Sequence, residues 1–322
     1  MAGLDDRGTR GRLPWIRALV ARHPIAAFLT MVFSIAYPLM SLPILAMHGV
    51  IPGGVFLQRL PVGPDEVSGL VLTLGALLPA AIFVTWAAEG RPGLIRLRRR
   101  MTHWRIGIGW WLVVLTGLPV LTITSAMLLG DTLQSIDLTA LLLEQLKLLL
   151  INFVLVNFWE ETAWAGVVQT HLERRHNILV AGLLSAVPFG FAHWPLAFLG
   201  DFTVTSALTS LGLFILLGAL VRPLLGLILR GSKDSLLAVA LTHSVFNRTN
   251  NQDGISASIL TGDGKQLAIL IALLVLTTAL ALMLRGKLGP ASRLQLDAAR
   301  GPAMLAQMAP ALEGTTTERN QT

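Results

Sequence analysis

Residues 148–172 read LLLINFVLVNFWEETAWAGVVQTHL, and this apolar segment is long enough to cross a bilayer, which takes about 20 residues as a helix. Two adjacent carboxylates, Glu160 and Glu161, interrupt it near its middle. An ionisable side chain at bilayer depth costs about 2.5 kcal/mol or more on insertion scales. The segment therefore predicts both a membrane-spanning helix and a functional site within that helix.

The composition of the whole chain also indicates a membrane protein. Of its 322 residues, 53% are hydrophobic and 13% are charged, whereas a soluble domain carries roughly 25% charged residues. The net charge of +7 comes from short basic runs between apolar segments, which favours contact with membrane lipid and argues against nucleic acid as a partner. The chain has no cysteine, which excludes disulfides, thiolate catalysis and cysteine–zinc sites.

The pattern of apolar segments predicts an all-α membrane protein, a bundle of about eight transmembrane helices with both termini cytoplasmic. Lys and Arg concentrate in alternate connections, as expected of cytoplasmic loops. We expect residues 1–23 to form a basic cytoplasmic arm, 24–285 the transmembrane domain, and 286–322 a mobile cytoplasmic tail. The eight segments, of which the seventh is short and polar at its end, are 24–47, 68–88, 106–129, 148–172, 178–199, 205–229, 235–250 and 266–285.

Four polar residues on three of these segments lie at similar predicted depths. At 1.5 Å per residue, Glu160, His193, His243 and Asn247 lie about 18, 22, 14 and 20 Å from the cytoplasmic ends of their helices. This agreement predicts one shared site. Glu161 points about 100° away from Glu160 around its helix, so it needs a second partner.

Arg222, which Pro223 follows, is a further charged residue in an apolar segment. For it we expect a side chain that extends toward the cytoplasmic end of its helix.

Three motifs occur in order along the chain: E-E-x-x-W-x-G at 160–166, F-x-x-x-H at 189–193 and H-x-x-x-N at 243–247. This pattern resembles the CAAX prenyl endopeptidase and bacteriocin-processing (CPBP, or Abi) family of intramembrane proteases, over about residues 150–250. The resemblance implies a bundle of about eight membrane helices with a conical cavity open to the cytosol, into which a protein or peptide substrate enters. Because the chain is rich in Ala, Leu and Arg, we expect a bacterial protein of the cytoplasmic membrane.

The resemblance also implies a role for each of five catalytic residues, without a metal or cofactor. Glu160 would activate the attacking water and His193 would hold that water. His243 and Asn247 would donate hydrogen bonds to the oxyanion, and Glu161 would support the site.

One departure from the family pattern leaves alternatives open. The first motif normally reads EExxxR, but Ala165 occupies the position of the arginine. Arg222 or Arg248 would supply the missing charge, the site would tolerate its loss, or the protein would be a non-catalytic membrane scaffold or transporter. A zinc-dependent protease that uses His193, His243 and a glutamate is a further alternative, since three such ligands plus water form a catalytic zinc site.

Overall fold

The computed structural model describes residues 12–60 and 63–290, and nearly all of them are helical. Two short strands, β1 (Thr132–Leu133) and β2 (Leu260–Thr261), pair antiparallel and tie two loops together. Most of the predicted tail, from residue 291, and the first 11 residues of the predicted arm lie outside the described residues. The helices are α1 (Arg12–Arg22), α2 (Pro24–Met47), α3 (Gly54–Gln58), α4 (Pro64–Met101), α5 (Ile108–Leu128), α6 (Leu138–Leu172), α7 (Ile178–His193, extended by a 3₁₀ turn at Trp194–Phe198), α8 (Val204–Gly231), α9 (Leu236–Asn250), α10 (Ile255–Ile259), α11 (Lys265–Met283) and a final 3₁₀ turn (Arg285–Lys287).

Seven helices in the described ranges are long and apolar enough to cross a membrane, namely α2, α4, α5, α6, α7, α8 and α11. The seventh predicted segment, 235–250, forms α9, whose 15 residues extend about 22 Å, less than the roughly 30 Å of hydrocarbon. Eleven of these residues are buried, so neighbouring helices, and not lipid, surround α9. Seven helices of spanning length and the buried α9 confirm the prediction of about eight membrane helices. The cytoplasmic location of the termini stays a prediction.

Helix α4 is longer than the predicted segment 68–88. It continues to Met101 through a kink at Gly90, whose φ of 65° is a conformation that glycine adopts without strain. Beyond the kink Gly93 and Leu97 are buried, while the arginines among them lie on other faces. The basic residues assigned to a loop thus belong to an amphipathic extension of the helix.

Helix α6 lies between two apolar clusters. Ala165 packs into the cluster formed with α5, α8, α9 and α11, whereas Trp164 and Val168 pack into the cluster formed with α2, α4 and α7. The first half of α6, residues 138–156, is mostly exposed, whereas the second half is mostly buried. The glutamates lie where α6 enters the interior.

Helices α7 and α8 pack in close contact, and this contact fixes the position of Arg222 on α8. A Cβ atom at Gly182 of α7 would lie only 2.6 Å from the backbone nitrogen of Pro223 on α8. The two backbones therefore touch at Arg222–Pro223. Side-chain caps by Asn177, Thr203 and Ser235 begin α7, α8 and α9.

Candidate active site

Glu160 and Glu161 lie in one short stretch of α-helix, Phe158–Ala163, between two π-helical stretches of α6. The π-helical stretches are Phe153–Asn157 and Trp164–Gln169. Such wider turns occur often at functional sites. Both glutamates are buried, with 3% and 0% of their surface exposed. A buried charge has to be paired or hydrogen-bonded to be tolerated, so the partners of each carboxylate define the site.

Glu160 has one firmly bonded oxygen and one oxygen without a hydrogen bond. The Asn157 side-chain amide donates to Oε2 at 3.1 Å. His243 Nδ1 lies 3.9 Å from the same oxygen. Oε1 lies 3.2 Å from His193 Nε2 but forms no hydrogen bond of acceptable geometry with any described residue. This oxygen is thus a buried acceptor without a donor among the described residues.

The orientation of His193 is fixed from its other ring nitrogen. Nδ1 lies 2.8 Å from the carbonyl oxygen of Phe189, and because a carbonyl only accepts, Nδ1 carries the proton. The Phe189 ring stacks against the imidazole with ring centroids 4.3 Å apart. Nε2 is therefore directed at Glu160, and the pair can reach the same small molecule.

Glu161 is fully engaged. Arg222 Nη1 donates to both of its carboxylate oxygens, at 2.7 and 2.8 Å, and both side chains have no exposed surface. His243 Nδ1 donates to Oε1 at 2.8 Å, because a carboxylate can only accept. This interaction joins α6, α8 and α9 through one carboxylate.

The expectation that Arg222 extends toward the cytoplasmic end is wrong. Its side chain is fully buried, pairs with Glu161, and lies 5.7 Å from the centre of the Phe189 ring. The close contact of α7 with the α8 backbone holds this part of α8 inside the bundle. Of the two arginines proposed to supply the missing charge, Arg222 contacts the glutamate pair, while Arg248 bonds to Gln145 and Asp253 instead.

Asn247 does not touch Glu160 directly. Its side-chain nitrogen lies 3.3 Å from Asn157 Oδ1 and 3.4 Å from Asn152 Oδ1. The structure thus brings Glu160, Glu161, His193 and His243 into one cluster and connects Asn247 to it through Asn157.

Asn157 is a site residue to which none of the three sequence motifs assigns a role. It donates to Glu160 and accepts from Asn247 and from the Ser244 hydroxyl, which lies 3.0 Å away. A sequence signal exists, because a residue three positions before Glu160 lies on the same helix face. The sequence signal is therefore an asparagine in an apolar helix, three residues before an intramembrane carboxylate.

The position of the family's motif arginine is packed with apolar side chains. Ala165 is 1% exposed and belongs to the same apolar cluster as Leu97 and Leu236. The neighbouring Gly166 has no room for a side chain without displacing both leucines, which a Cβ would approach to 3.1 and 3.2 Å. No group of three His, Asp or Glu side chains in the described ranges is arranged to hold a metal ion.

Comparison with known proteins identifies the segment that carries this cluster. Residues 142–249 match the family model described as type II CAAX prenyl endopeptidase Rce1-like. No curated protein matches the chain. All five predicted site residues, together with Asn157 and Arg222, fall within the matched segment. The match confirms, over about a third of the chain, the resemblance to the CPBP family of membrane proteases that the three motifs indicate, in a chain that the apolar helices show to be an integral membrane protein.

Proposed function

We propose that this protein is an intramembrane endopeptidase in which Glu160 is the general base that activates a water molecule. The observation that carries the proposal is the buried Oε1 of Glu160, which has no hydrogen bond and lies 3.2 Å from His193 Nε2. A water that donates one proton to each of these atoms keeps its lone pairs free to attack. A general base must lie within hydrogen-bond reach of the proton that it takes, and a water bound to both Oε1 and His193 Nε2 would lie within that reach.

The hydrolysis needs no covalent enzyme intermediate. Glu160 takes one proton of the water as the oxygen bonds to the carbonyl carbon of the substrate. The electron pair of the C=O bond moves to the carbonyl oxygen, which becomes an oxyanion. When the tetrahedral intermediate collapses, the C–N bond breaks and Glu160 returns the proton to the leaving amine. One water is consumed, and a carboxylic acid and an amine are formed.

His243 and Asn247 are the proposed donors to the oxyanion. Asn247 exchanges one of its two long hydrogen bonds, to Asn157 at 3.3 Å or to Asn152 at 3.4 Å, for the oxyanion, because its amide nitrogen has only two N–H groups. The Glu161 carboxylate accepts the hydrogen bond from His243 Nδ1 at 2.8 Å, which orients the ring. Because Nδ1 is held by Glu161, Nε2 is the ring nitrogen left for the oxyanion, and it donates there when it carries a proton. Fixed donors in a site from which water is excluded stabilise a developing oxyanion more strongly than the same donors in water.

Arg222 supports the proposal because it supplies the positive charge that the family motif normally has at the position of Ala165. The glutamate pair has a buried cation even though its own motif lacks arginine, because α8 supplies one. Without it, Glu160 and Glu161 would be two adjacent negative charges in a medium where unpaired charge is very costly. The substrates are protein or peptide segments, and the proposed location is the cytoplasmic membrane of a bacterium.

Glu160→Gln tests the proposal because the amide keeps the shape and the hydrogen bond from Asn157 but cannot take a proton from water. We expect hydrolysis of internally quenched peptides of randomised sequence to fall by at least about 10³-fold, within the range for a lost general base. Membrane proteomes of cells with the wild type or the variant would then differ in cleaved fragments. Full activity of a folded Glu160→Gln protein would overturn the assignment.

The two histidines beside one carboxylate also motivate the zinc alternative. Activity measured in a chelator separates the two mechanisms: loss of hydrolysis that zinc restores would favour a zinc protease, and unchanged hydrolysis favours the glutamate mechanism.

A further inference from the structure

A second cluster of charges lies at the arginine-rich end of the bundle, away from Glu160. It lines a cavity of about 730 Å³ between the last turns of α4, the end of α6 and the turn that connects α8 to α9. Ligand sites in proteins commonly have volumes of roughly 300–1,000 Å³. We name it the arginine cavity, after its basic lining residues Arg96, Arg100, Arg174, Arg230 and Lys233.

The lining charges of the arginine cavity do not cancel. The five basic residues face three carboxylates, those of Glu89, Glu173 and Asp234. Glu89 is shared by two arginines, Arg96 at 2.5 Å and Arg174 at 2.8 Å. The cavity therefore carries an excess of two positive charges.

Arg100 is held with one nitrogen unused. It donates to the Gly166 carbonyl at 3.0 Å and the Thr170 hydroxyl at 2.9 Å, and it pairs with Asp234 at 2.8 Å. These contacts fix the guanidinium group, yet its buried Nε–H has no partner among the described residues. A preorganised arginine with a spare donor is suited to bind an oxyanion.

The backbone at the edge of the cavity is also unusual. Lys233 and Asp234 have φ of 56° and 70°, a left-handed conformation that residues other than glycine rarely adopt. This backbone ends α8, because the Asp234 N–H donates to the Leu229 carbonyl at 2.8 Å as in a helix C-cap, and it places Lys233 at the edge of the cavity. Lys233 forms no ion pair within the part of the chain that the structure describes, so its charge is available to a ligand.

We propose that the arginine cavity binds a phosphate group, and that the ligand is the headgroup of an anionic phospholipid. Phosphate matches the planar donor arrangement of arginine and the two excess positive charges. The cavity lies at the ends of membrane-spanning helices, on the side where the arginine-rich segments meet anionic lipid under the positive-inside pattern. The site is separate from the Glu160 cluster and does not depend on the protein being a protease.

The test uses the full-length protein in neutral detergent, with thermal unfolding as the readout. We expect the Tm to rise saturably with added phosphatidylglycerol and to stay unchanged with phosphatidylcholine. In the double variant Arg96→Gln/Lys233→Asn, the concentration of phosphatidylglycerol needed for half the effect should rise roughly tenfold, as expected when charge-assisted contacts are lost. Asn is chosen at position 233 because it tolerates the left-handed backbone.

A matched control separates the cavity from general surface charge. Arg99→Gln/Arg175→Gln removes the same charge from the same end of the bundle, at exposed positions that do not line the cavity. This control should retain the wild-type response. Equal weakening in both double variants would overturn the proposal, as would the absence of a saturable response in the wild type.

Inorganic phosphate distinguishes the two sources of the ligand. A rise in Tm with phosphatidylglycerol alone supports the lipid headgroup. A rise with millimolar inorganic phosphate that Arg96→Gln/Lys233→Asn also weakens supports the phosphate site but replaces the lipid with a soluble phosphate compound. Neither result depends on peptide hydrolysis, so a failure of the protease proposal leaves this test intact.

Discussion

The surroundings of Glu160 and Glu161 differ although the two residues are adjacent in the chain. Both oxygens of Glu161 are bonded by Arg222, and His243 adds a third contact. Glu160 receives one hydrogen bond from Asn157 and keeps Oε1 free. A fully bonded carboxylate holds helices together, whereas one with an unused oxygen can react. The rotation of about 100° between consecutive helix residues makes this division of roles possible.

The largest expected effect is a difference in the free energy of unfolding between variants of Glu161 and variants of Glu160. Glu161→Gln leaves Arg222 buried without an anionic partner, which should lower the free energy of unfolding by about 3–5 kcal/mol. Glu160→Gln removes no ion pair with arginine and should cost far less. Denaturant unfolding in detergent micelles measures both. Equal losses for the two variants would contradict a structural role for Glu161 that Glu160 does not share.

A double variant shows whether the Arg222–Glu161 pair does more than stabilise the fold. Arg222→Met alone leaves the Glu161 charge buried without the arginine and should cost about 3–5 kcal/mol, while Glu161→Gln/Arg222→Met removes both charges and should recover most of that loss. Peptide hydrolysis should stay low in the double variant, because His243 has lost the carboxylate that orients it. Recovery of stability and hydrolysis together would make the pair purely structural.

Restoring the family's arginine by Ala165→Arg should not improve the enzyme. The position is enclosed by apolar side chains, and overpacking such a site costs about 1–3 kcal/mol. Ala165→Leu is the control for volume without charge, and the difference between the two variants reports the cost of the charge. Increased hydrolysis in Ala165→Arg would show that Arg222 does not replace the motif arginine.

The smallest expected effect concerns the asparagines that lead to Glu160. Asn157→Ala removes the hydrogen bond that orients the general base, which should lower kcat about tenfold, the equivalent of roughly 1.4 kcal/mol. Asn152 lies two side-chain contacts further from Glu160 than Asn157 does, since its side chain is connected to Asn157 through Asn247, and Asn152→Ala serves as the control, with a smaller loss. A greater loss in Asn152→Ala would reverse the proposed order of the polar contacts.

The helix positions were largely predictable because hydropathy acts locally. A segment that faces lipid must be apolar along its length, and Pro24–Met47 begins and ends where the sequence predicts. The prediction is less accurate where protein replaces lipid as the surroundings: α9 is short and polar because it is buried by other helices, and α4 extends past Gly90 as an amphipathic helix.

By itself, the sequence determined an all-helical membrane protein and the family to which residues 142–249 are similar, and it predicted a shared depth for the polar residues. Only the tertiary structure decided which partners those residues have. Arg222 pairs with Glu161, and Asn157 lies between Asn247 and Glu160. The reason is physical: depth follows from counting residues along a helix, but the direction of a side chain depends on how neighbouring helices pack. Here the close contact of Gly182 with Pro223 keeps Arg222 inside the bundle and in reach of the glutamate.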